Sequence, residues 1–432
     1  MQEEGRKMRG GRVPEIRRRH GNPEIPKSLL IGGDQLRDGV GSQRTDSSIP
    51  VHSHSVTRAQ EELLYMVGLT KIDHIGPVLG RILIEHFGSA KSVFFCTEKE
   101  LLKIPGIGPR TASNILRGRG LLEAEKELNR SFQKDVKVIS ILDPDYPKSL
   151  KEIYDAPLVL YKRGGFDLNS QPLISIVGTR MPSEYGRIVA QSFTEFFVEK
   201  GFCVVSGLAF GIDAAVHRKV LEKEGQTVAV LGHGFGTIYP QEHWQEARSI
   251  EQRGALLTEF GSEVLPEARN FPMRNRIISG LSHATIVIEA GQKGGALITA
   301  RSAFEQNRSV YAIPGDLTRS QAQGSNSLIR DQIAKMVLHP SEVIEDLMPS
   351  VEHMLEEREI GLKPSIQVTD LEERILDLVS AGPQFAGTIG QSIAIPLGKL
   401  RAILVGLEVK GVIRKEVGGR YISTSLGWAR AV

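Results

Sequence analysis

Between Leu173 and Gly315 the sequence returns six times to the same pattern, a short apolar run followed by a glycine-containing loop. The runs are LISIVG (173–178), FCVVSG (202–207), TVAVLG (227–232), ALLTEF (255–260), ATIVIEA (284–290) and SVYAIPG (309–315). They recur about every 25 residues, with helical patterns between them. Such runs lack the alternation of a strand with one wet face, so both faces must be buried. That is the situation of a parallel strand between two layers of helix. The pattern predicts an α/β fold, a doubly wound, extended Rossmann-like core around a parallel sheet.

The flanking sequence divides the remainder of the 432 residues. Residues 1–57 are rich in Gly, Arg, Ser, Pro and Asp without apolar periodicity, and read as a disordered basic leader. Residues 58–134 are helical in pattern and contain IPGIGPRTASNIL (104–116), a hydrophobic-Pro-Gly-hydrophobic-Gly turn between helices. Gly106 and Gly108 permit a tight turn whose backbone N–H groups, with Arg110 beside them, could hold one phosphate. This is the pattern of a helix-hairpin-helix, and IGPVLGRI (75–82) reads as a degenerate partner. The core spans 135–347, its first part a packed connector, DPDYPKSLKEIYDAPLVLYKRG. A charged stretch with two prolines, 348–369, reads as a linker. Residues 370–432 carry two helical patterns and a Gly-Gly hairpin, the order of a small winged helix.

Charge and cysteine content narrow the function classes. The chain has 54 Lys+Arg and 51 Asp+Glu; the leader holds 10 and 7 of these, leaving 44 of each over 58–432. A neutral body excludes a global polycation, so any nucleic acid would be met through local patches. The two cysteines, Cys96 and Cys203, have no metal-ligand spacing and suit a reducing, cytoplasmic setting. No apolar run is long enough to cross a membrane, and the first residues lack the apolar segment of a secretory signal.

In a parallel α/β sheet the ligand crevice lies at the carboxyl ends of the strands. The loops there read VGTRMPSEYG, SGLAFGID, LGHGFG, EAGQKGGALITA and IPGD. Five glycine-rich loops on one sheet edge point to an anionic ligand, approached closely by backbone amides and helix N-termini. None is a Walker loop, and SGLAFG lacks dinucleotide spacing. Arg180 follows the first run directly, and FPMRNRIISGLS places Phe271, Arg274 and Arg276 close together. Arginines beside an aromatic suit phosphates and a stacked base, or alternatively a structural network along the sheet edge. Lys293 in the EAGQKGG turn is a third cation.

Catalytic readings are weaker. Asp213 and His217 share a helix face near Ser206, but no G-x-S-x-G elbow is present, and the pair reads as a local cap. Glu259 and Glu289 end strands without further acids beside them. His52, His54, His233 and His243 have no ligand partner at sensible spacing, so neither metal nor cofactor is expected.

Taken in order, VGTR…YG, VVSGLAFGIDAAVH, AVLGHGFGTIYP, FPMRNRIISGLS, VIEAGQKGGALITA, AIPG and GSNSLI closely resemble the DprA/Smf family (DNA-processing protein A) over roughly residues 140–345. The resemblance implies a non-catalytic protein that binds single-stranded DNA, dimerises, and loads a RecA-type recombinase on incoming strands during natural transformation. Matched to its motifs, the DNA-binding set is Gly178, Thr179, Arg180, Ser206, Gly207, Gly211, Phe271, Arg274, Asn275, Arg276, Lys293, Gly294 and Gly295. Thr179 stands where the family commonly has serine, and Gly294 replaces a serine of its SGSLITA loop. Gln332-Ile333 replace the usual Gly-Ala near the family's dimer surface. Leu328, Ile329 and Ile333 form an apolar stripe there, the expected homodimer contact.

Two other functions fit parts of the sequence. Related LOG-type (lysine-decarboxylase-like) phosphoribohydrolases bind nucleotides on a similar fold, but use a P-G-G-x-G-T-x-x-E loop. Here EAGQKGGALITA lacks the glutamate. A duplex binder acting through the winged helix would rely on Lys399, Arg401 and Lys410, a thin set for a major-groove reader.

Overall fold

The computed structural model describes residues 57–362, 369–410, 412–416 and 418–423. The leader lies outside the described residues except for Thr57, which caps the first helix. The described chain forms two compact units, the first ending at Leu338.

The first unit opens with α1 (Arg58–Thr70), α2 (Pro77–Phe87), α3 (Ala90–Phe95), α4 (Glu98–Leu101), α5 (Pro109–Leu116) and α6 (Leu121–Gln133). Two turns here repeat one geometry. Gly76 and Gly108 are extended N-caps before Pro77 and Pro109, and Pro at the first helical position costs no hydrogen bond. Ile75 and Ile107 donate to the carbonyls three residues back, both at 3.1 Å, and bury their side chains. The positive φ falls on Gly106 (90°) in one turn and on His74 (69°) in the other. The degenerate partner expected from IGPVLGRI is thus a second hairpin, with histidine in the left-handed position.

The core follows with β1 (Lys137–Ser140), α7 (Lys148–Lys151), β2 (Val159–Arg163), β3 (Leu173–Gly178), α8 (Glu184–Glu199), β4 (Cys203–Ser206), α9 (Ile212–Glu222), β5 (Thr227–Val230), α10 (Trp244–Arg253), β6 (Ala255–Thr258), α11 (Asn270–Leu281), β7 (Ala284–Ile288), α12 (Gly295–Glu305), β8 (Ser309–Ala312), α13 (Gln323–Arg330) and β9 (Lys335–Met336). All six apolar runs contain a strand. The nine described strands of this sheet run in the order β1-β2-β6-β5-β4-β3-β7-β8-β9. From β6 to β9 every pairing is parallel. The connector contributes β1 and β2 as an antiparallel edge, two strands too short for sequence periodicity to reveal. Tyr146 anchors the connector, its buried hydroxyl donating to the Pro157 carbonyl at 2.7 Å.

Strand order reverses at β3. The chain builds outward through β4, β5 and β6, then returns to lay β7 on the other side of β3. The carboxyl ends of β3 and β7 therefore diverge into loops on opposite sides, which opens a crevice at this switch point. The strands touch backbone to backbone there: a Cβ on Gly178 would lie 2.1 Å from the Ile288 carbonyl oxygen. The helical domain is tied to the core by Glu127 of α6, which is buried and accepts from the Ser262 amide at 2.8 Å.

The second unit contains α14 (Pro340–Leu362), α15 (Asp370–Ser380), β10 (Gln384–Phe385), α16 (Ala386–Ile393), α17 (Leu397–Val409), β11 (Ile413–Lys415) and β12 (Arg420–Ser423). Its three strands form an antiparallel sheet in the order β10-β12-β11. Ile375, Val379, Ile389, Leu400, Leu404 and Ile413 are among its buried core residues. The stretch 348–369, expected as a linker, is helical up to Leu362 despite Pro349. Val343, Leu347 and Val351, at i, i+4 and i+8, form a buried stripe that outweighs the one lost backbone donor. No single helix among the described residues is long and apolar enough to cross a membrane.

Candidate nucleic-acid interface

The switch-point crevice has a volume of about 650 Å³. Its walls are the ends of β3 and β7, the N-terminal turns of α11 and α12, and the loop carrying Tyr239.

The floor is assembled by backbone contacts that leave no room for side chains. Thr179 donates its amide to the Glu289 carbonyl at 2.7 Å and accepts from the Ile212 amide at 3.1 Å. Gly211 has φ of 85°, and a Cβ there would lie 2.3 Å from the Thr179 carbonyl oxygen. Gly207 is wedged between two charges: its Cβ would meet Arg274 Nη2 and Asp213 Oδ2, both at 2.8 Å. Ser206 is fully buried, not at the crevice surface, and donates to the Ile176 carbonyl at 2.8 Å.

Arg274 is buried under the crevice. Its Nη1 donates to the Gly207 carbonyl at 2.9 Å and to the Val230 carbonyl, and its Nε donates to Asn275 Oδ1 at 3.2 Å. Burial lowers its pKa to about 10, against the pull of Asp213 and with the help of nearby Arg180. The guanidinium therefore stays charged at neutral pH and supplies positive potential from below. Burial likewise raises Asp213, opposed by Arg274 and by hydrogen bonds from Ala209, Ser206 and Gly207. Asn275 Nδ2 donates to the Gly295 carbonyl at 3.2 Å, joining α11 to the first turn of α12.

The exposed cations lie above this floor. Arg180 and Lys293 line the crevice, and neither has a carboxylate within ion-pair distance among the described residues. Gly294 caps α12, and a Cβ on Gly294 or Gly295 would find no neighbour closer than 3.6 Å. The free N–H groups of that helix end thus face open space, where an anion is favoured. Phe271 packs on Gly232, whose Cβ would meet the ring at 2.8 Å. Tyr239 lies beside it at a centroid distance of 5.7 Å and 45° and is 43 % exposed. Together these groups can take a phosphate on Arg180, Lys293 and the α12 terminus, and a base against the two rings. Tyr239 was not singled out from the sequence. The cue was its place in HGFGTIYP, where an aromatic follows a glycine-rich strand end.

Other expected residues are elsewhere. Arg276 does not reach the crevice. It makes two hydrogen bonds to Glu259, at 3.0 and 2.7 Å, and an ion pair with Asp155 at 3.0 Å. Arg276 is therefore part of a structural network along the sheet edge, whereas Arg180 is left unpaired among the described residues at the crevice. Glu289 accepts from the Ser183 amide at 2.8 Å and from the Ser183 hydroxyl, so both strand-end carboxylates are engaged, Glu259 by a helix arginine and Glu289 by a loop serine. Asp213 and His217 do not work as a pair. Asp213 accepts from the Gly207 and Ala209 amides at 3.1 and 3.4 Å, while His217 Nδ1 lies 2.8 Å from Thr227 Oγ1. His233 Nε2 accepts from the Tyr239 amide at 3.2 Å and holds the Tyr239 loop. In the helical domain Gly106, Gly108 and Arg110 are exposed at the second hairpin. Leu328 is in the core, and Ile329 and Ile333 are partly buried against it. Ile333 lies beyond α13, whose last residue is Arg330.

The fold and site define a class: a Rossmann-like α/β protein with a cationic, aromatic-walled crevice at its switch point, carrying a helix-hairpin-helix domain ahead of it. Residues 137–348 match the model of the family described as DNA recombination-mediator protein A, and residues 67–119 match a SAM-like helix-hairpin-helix tandem. Protein Smf of Synechocystis sp. is 33% identical over 395 residues, covering 84% of this chain and 99% of that protein. DNA processing protein DprA of Bacillus subtilis is 42% identical over 216 residues, 50% of this chain and 72% of that protein. The X-ray structure of DprA from Streptococcus pneumoniae superposes with a TM-score of 0.56 at 32% identity, covering 68% of this chain and 98% of that one. The chain belongs to the DprA/Smf family of DNA recombination mediators.

Proposed function

We propose that the chain binds single-stranded DNA in the switch-point crevice and acts by positioning the strand, with no catalytic step. The observation that carries this reading is the pairing of two uncommitted cations, Arg180 and Lys293, with exposed Tyr239 and half-buried Phe271 over a buried, charged Arg274. Both forms of DNA offer phosphates, but only a single strand also offers an unstacked base face to the two rings. The engagement of Glu259 by Arg276 and of Glu289 by Ser183 argues against the phosphoribohydrolase alternative, because neither carboxylate is available to a substrate.

Within the same reading, the bound strand is handed to a RecA-type recombinase, and the protein works as a homodimer through the surface around Ile329 and Ile333. The second unit, with a 113° bend between α16 and α17 followed by the β11–β12 hairpin, is read as a winged helix. The exposed hairpin at Gly106, Gly108 and Arg110 is an auxiliary phosphate contact. The test is fluorescence anisotropy with labelled single-stranded and duplex DNA across a salt series. The single strand should bind more tightly, with a log–log salt slope of about −0.7 per phosphate neutralised. Equal affinity for the two forms, or a flat salt response, would remove the proposal.

A further inference from the structure

A second cationic depression, of about 430 Å³, lies near the end of β2 and along α10. Lys134, Arg163, Ile238, Trp244 and Arg248 line it, with Glu251 its one carboxylate. Its cations are not spent on ion pairs. None of Lys134, Arg163 and Arg248 has a carboxylate partner among the described residues. Two of them lie on aromatic rings instead: Arg248 is 4.2 Å from the Trp244 centroid and Arg163 is 5.0 Å from that of Phe235. The Nε of Arg163 is shielded from solvent and has no hydrogen-bond partner. Trp244 is 49 % exposed, a large cost in apolar surface unless something covers it.

The depression and the crevice lie on either side of one loop. Ile238 lines one and Tyr239 the other, so a strand leaving the crevice past the Tyr239 ring arrives at Trp244. The groove on the other side of Arg180 offers no comparable path. Its cations are neutralised: Arg187 by Glu184 at 3.1 Å, Arg218 by Glu246, and Lys219 by Glu195 and Glu222 at 3.5 and 3.0 Å.

We propose that Lys134, Arg163, Trp244 and Arg248 form a second subsite for the same single strand, taking the segment that leaves the crevice across the Ile238–Tyr239 loop. The stacked Arg248–Trp244 pair offers a flat platform for a base, and Lys134 and Arg163 face its phosphates. This inference rests on the crevice binding single-stranded DNA.

The test uses the full chain carrying Trp428→Phe, which leaves Trp244 as its one tryptophan. Two oligothymidylates are compared, of about 6 and about 20 nucleotides, bracketing single-strand site sizes. The longer should quench Trp244 fluorescence and the shorter should not. In anisotropy, Trp244→Ala and the pair Lys134→Ala, Arg248→Ala should each weaken the longer oligonucleotide about tenfold and leave the shorter unchanged. The pair should also reduce the salt slope for the longer one by about 1.4, the share of two phosphates. These three residues are exposed, so their loss should leave the fold intact. Binding of the longer oligonucleotide without quenching, an equal loss for both lengths, or quenching by an acidic peptide instead would overturn the subsite alone. Failure of both lengths to bind the unsubstituted protein would overturn the crevice reading, and the subsite with it.

Discussion

Arg274 and Arg276 are two residues apart on α11 and do opposite things. Residues at i and i+2 on a helix point about 200° apart, so one arginine turns under the crevice and the other away from it. The sequence placed both in the right helix, but a motif read as a string carries no direction. Helical geometry applied to the RNR triplet would have separated them. Arg276→Ala should strand the buried Glu259 carboxylate and cost about 3–5 kcal/mol of stability. Arg180→Ala, at an exposed position, should stay within about 0.5 kcal/mol of the parent in urea unfolding. Similar losses for the two would contradict this assignment.

His217 gives a second residue-scale prediction. Thr227 Oγ1 donates to the Val204 carbonyl at 2.7 Å, so His217 Nδ1 must donate to Thr227, and Nε2 is left buried without a partner. Desolvation first, then the fields of His243 and Arg274, lower its pKa from 6.5 to about 3. A histidine held neutral in the fold stabilises above its unfolded pKa, and the contribution falls away as pH drops below it. Between pH 7.5 and 5 the loss should be about 2 kcal/mol. Imidazole NMR shifts should show His217 neutral at pH 5; titration near 6.5 would refute the tautomer argument.

At the scale of elements, the parallel strands were legible because burial on both faces imprints unbroken apolar runs. The antiparallel edge β1–β2 was not, since KVIS and VLYKR are too short to show a period. The linker reading failed at α14 because Pro349 was weighed as a break, while the Val343–Leu347–Val351 stripe was not weighed at all. The end of α13 shows the reverse case. The family's usual glycine there is replaced by Gln332, which still adopts φ of 56°. Left-handed backbone is costly for a residue with a Cβ, and glycine at this helix end relieves it. Gln332→Gly should therefore raise stability by about 0.5–1 kcal/mol, after the added freedom of the unfolded chain is subtracted. A loss of stability would mean the glutamine side chain makes a contact worth more than the strain.

On the scale of the whole molecule, charge is balanced overall and unbalanced locally. Residues 58–432 carry equal numbers of acidic and basic side chains, yet among the described residues no ion pair engages Arg180 or Lys293 at the crevice. This local surplus, invisible in composition, was legible only through the glycine-rich loops that pointed to the sheet edge. Assembly is tested at the same scale. Leu328 belongs to the core, so Ile333, partly buried and past the helix end, is the position that can report on a dimer without unfolding the chain. Light scattering should find a dimer that Ile333→Glu converts to monomer, since a two-fold interface meets each change twice. A monomeric parent, or a dimer indifferent to this substitution, would place the interface elsewhere.

The central claim is that the switch-point crevice holds a single strand through uncommitted cations. Its most direct measurement is a single-stranded DNA titration of the parent and of the double variant Arg180→Ala, Lys293→Ala over a range of salt concentrations, with thermal unfolding run in parallel. The double variant should bind much more weakly, with a log–log slope shallower by about 1.4 and an unchanged unfolding midpoint. An unchanged affinity and slope in a folded double variant would contradict the account.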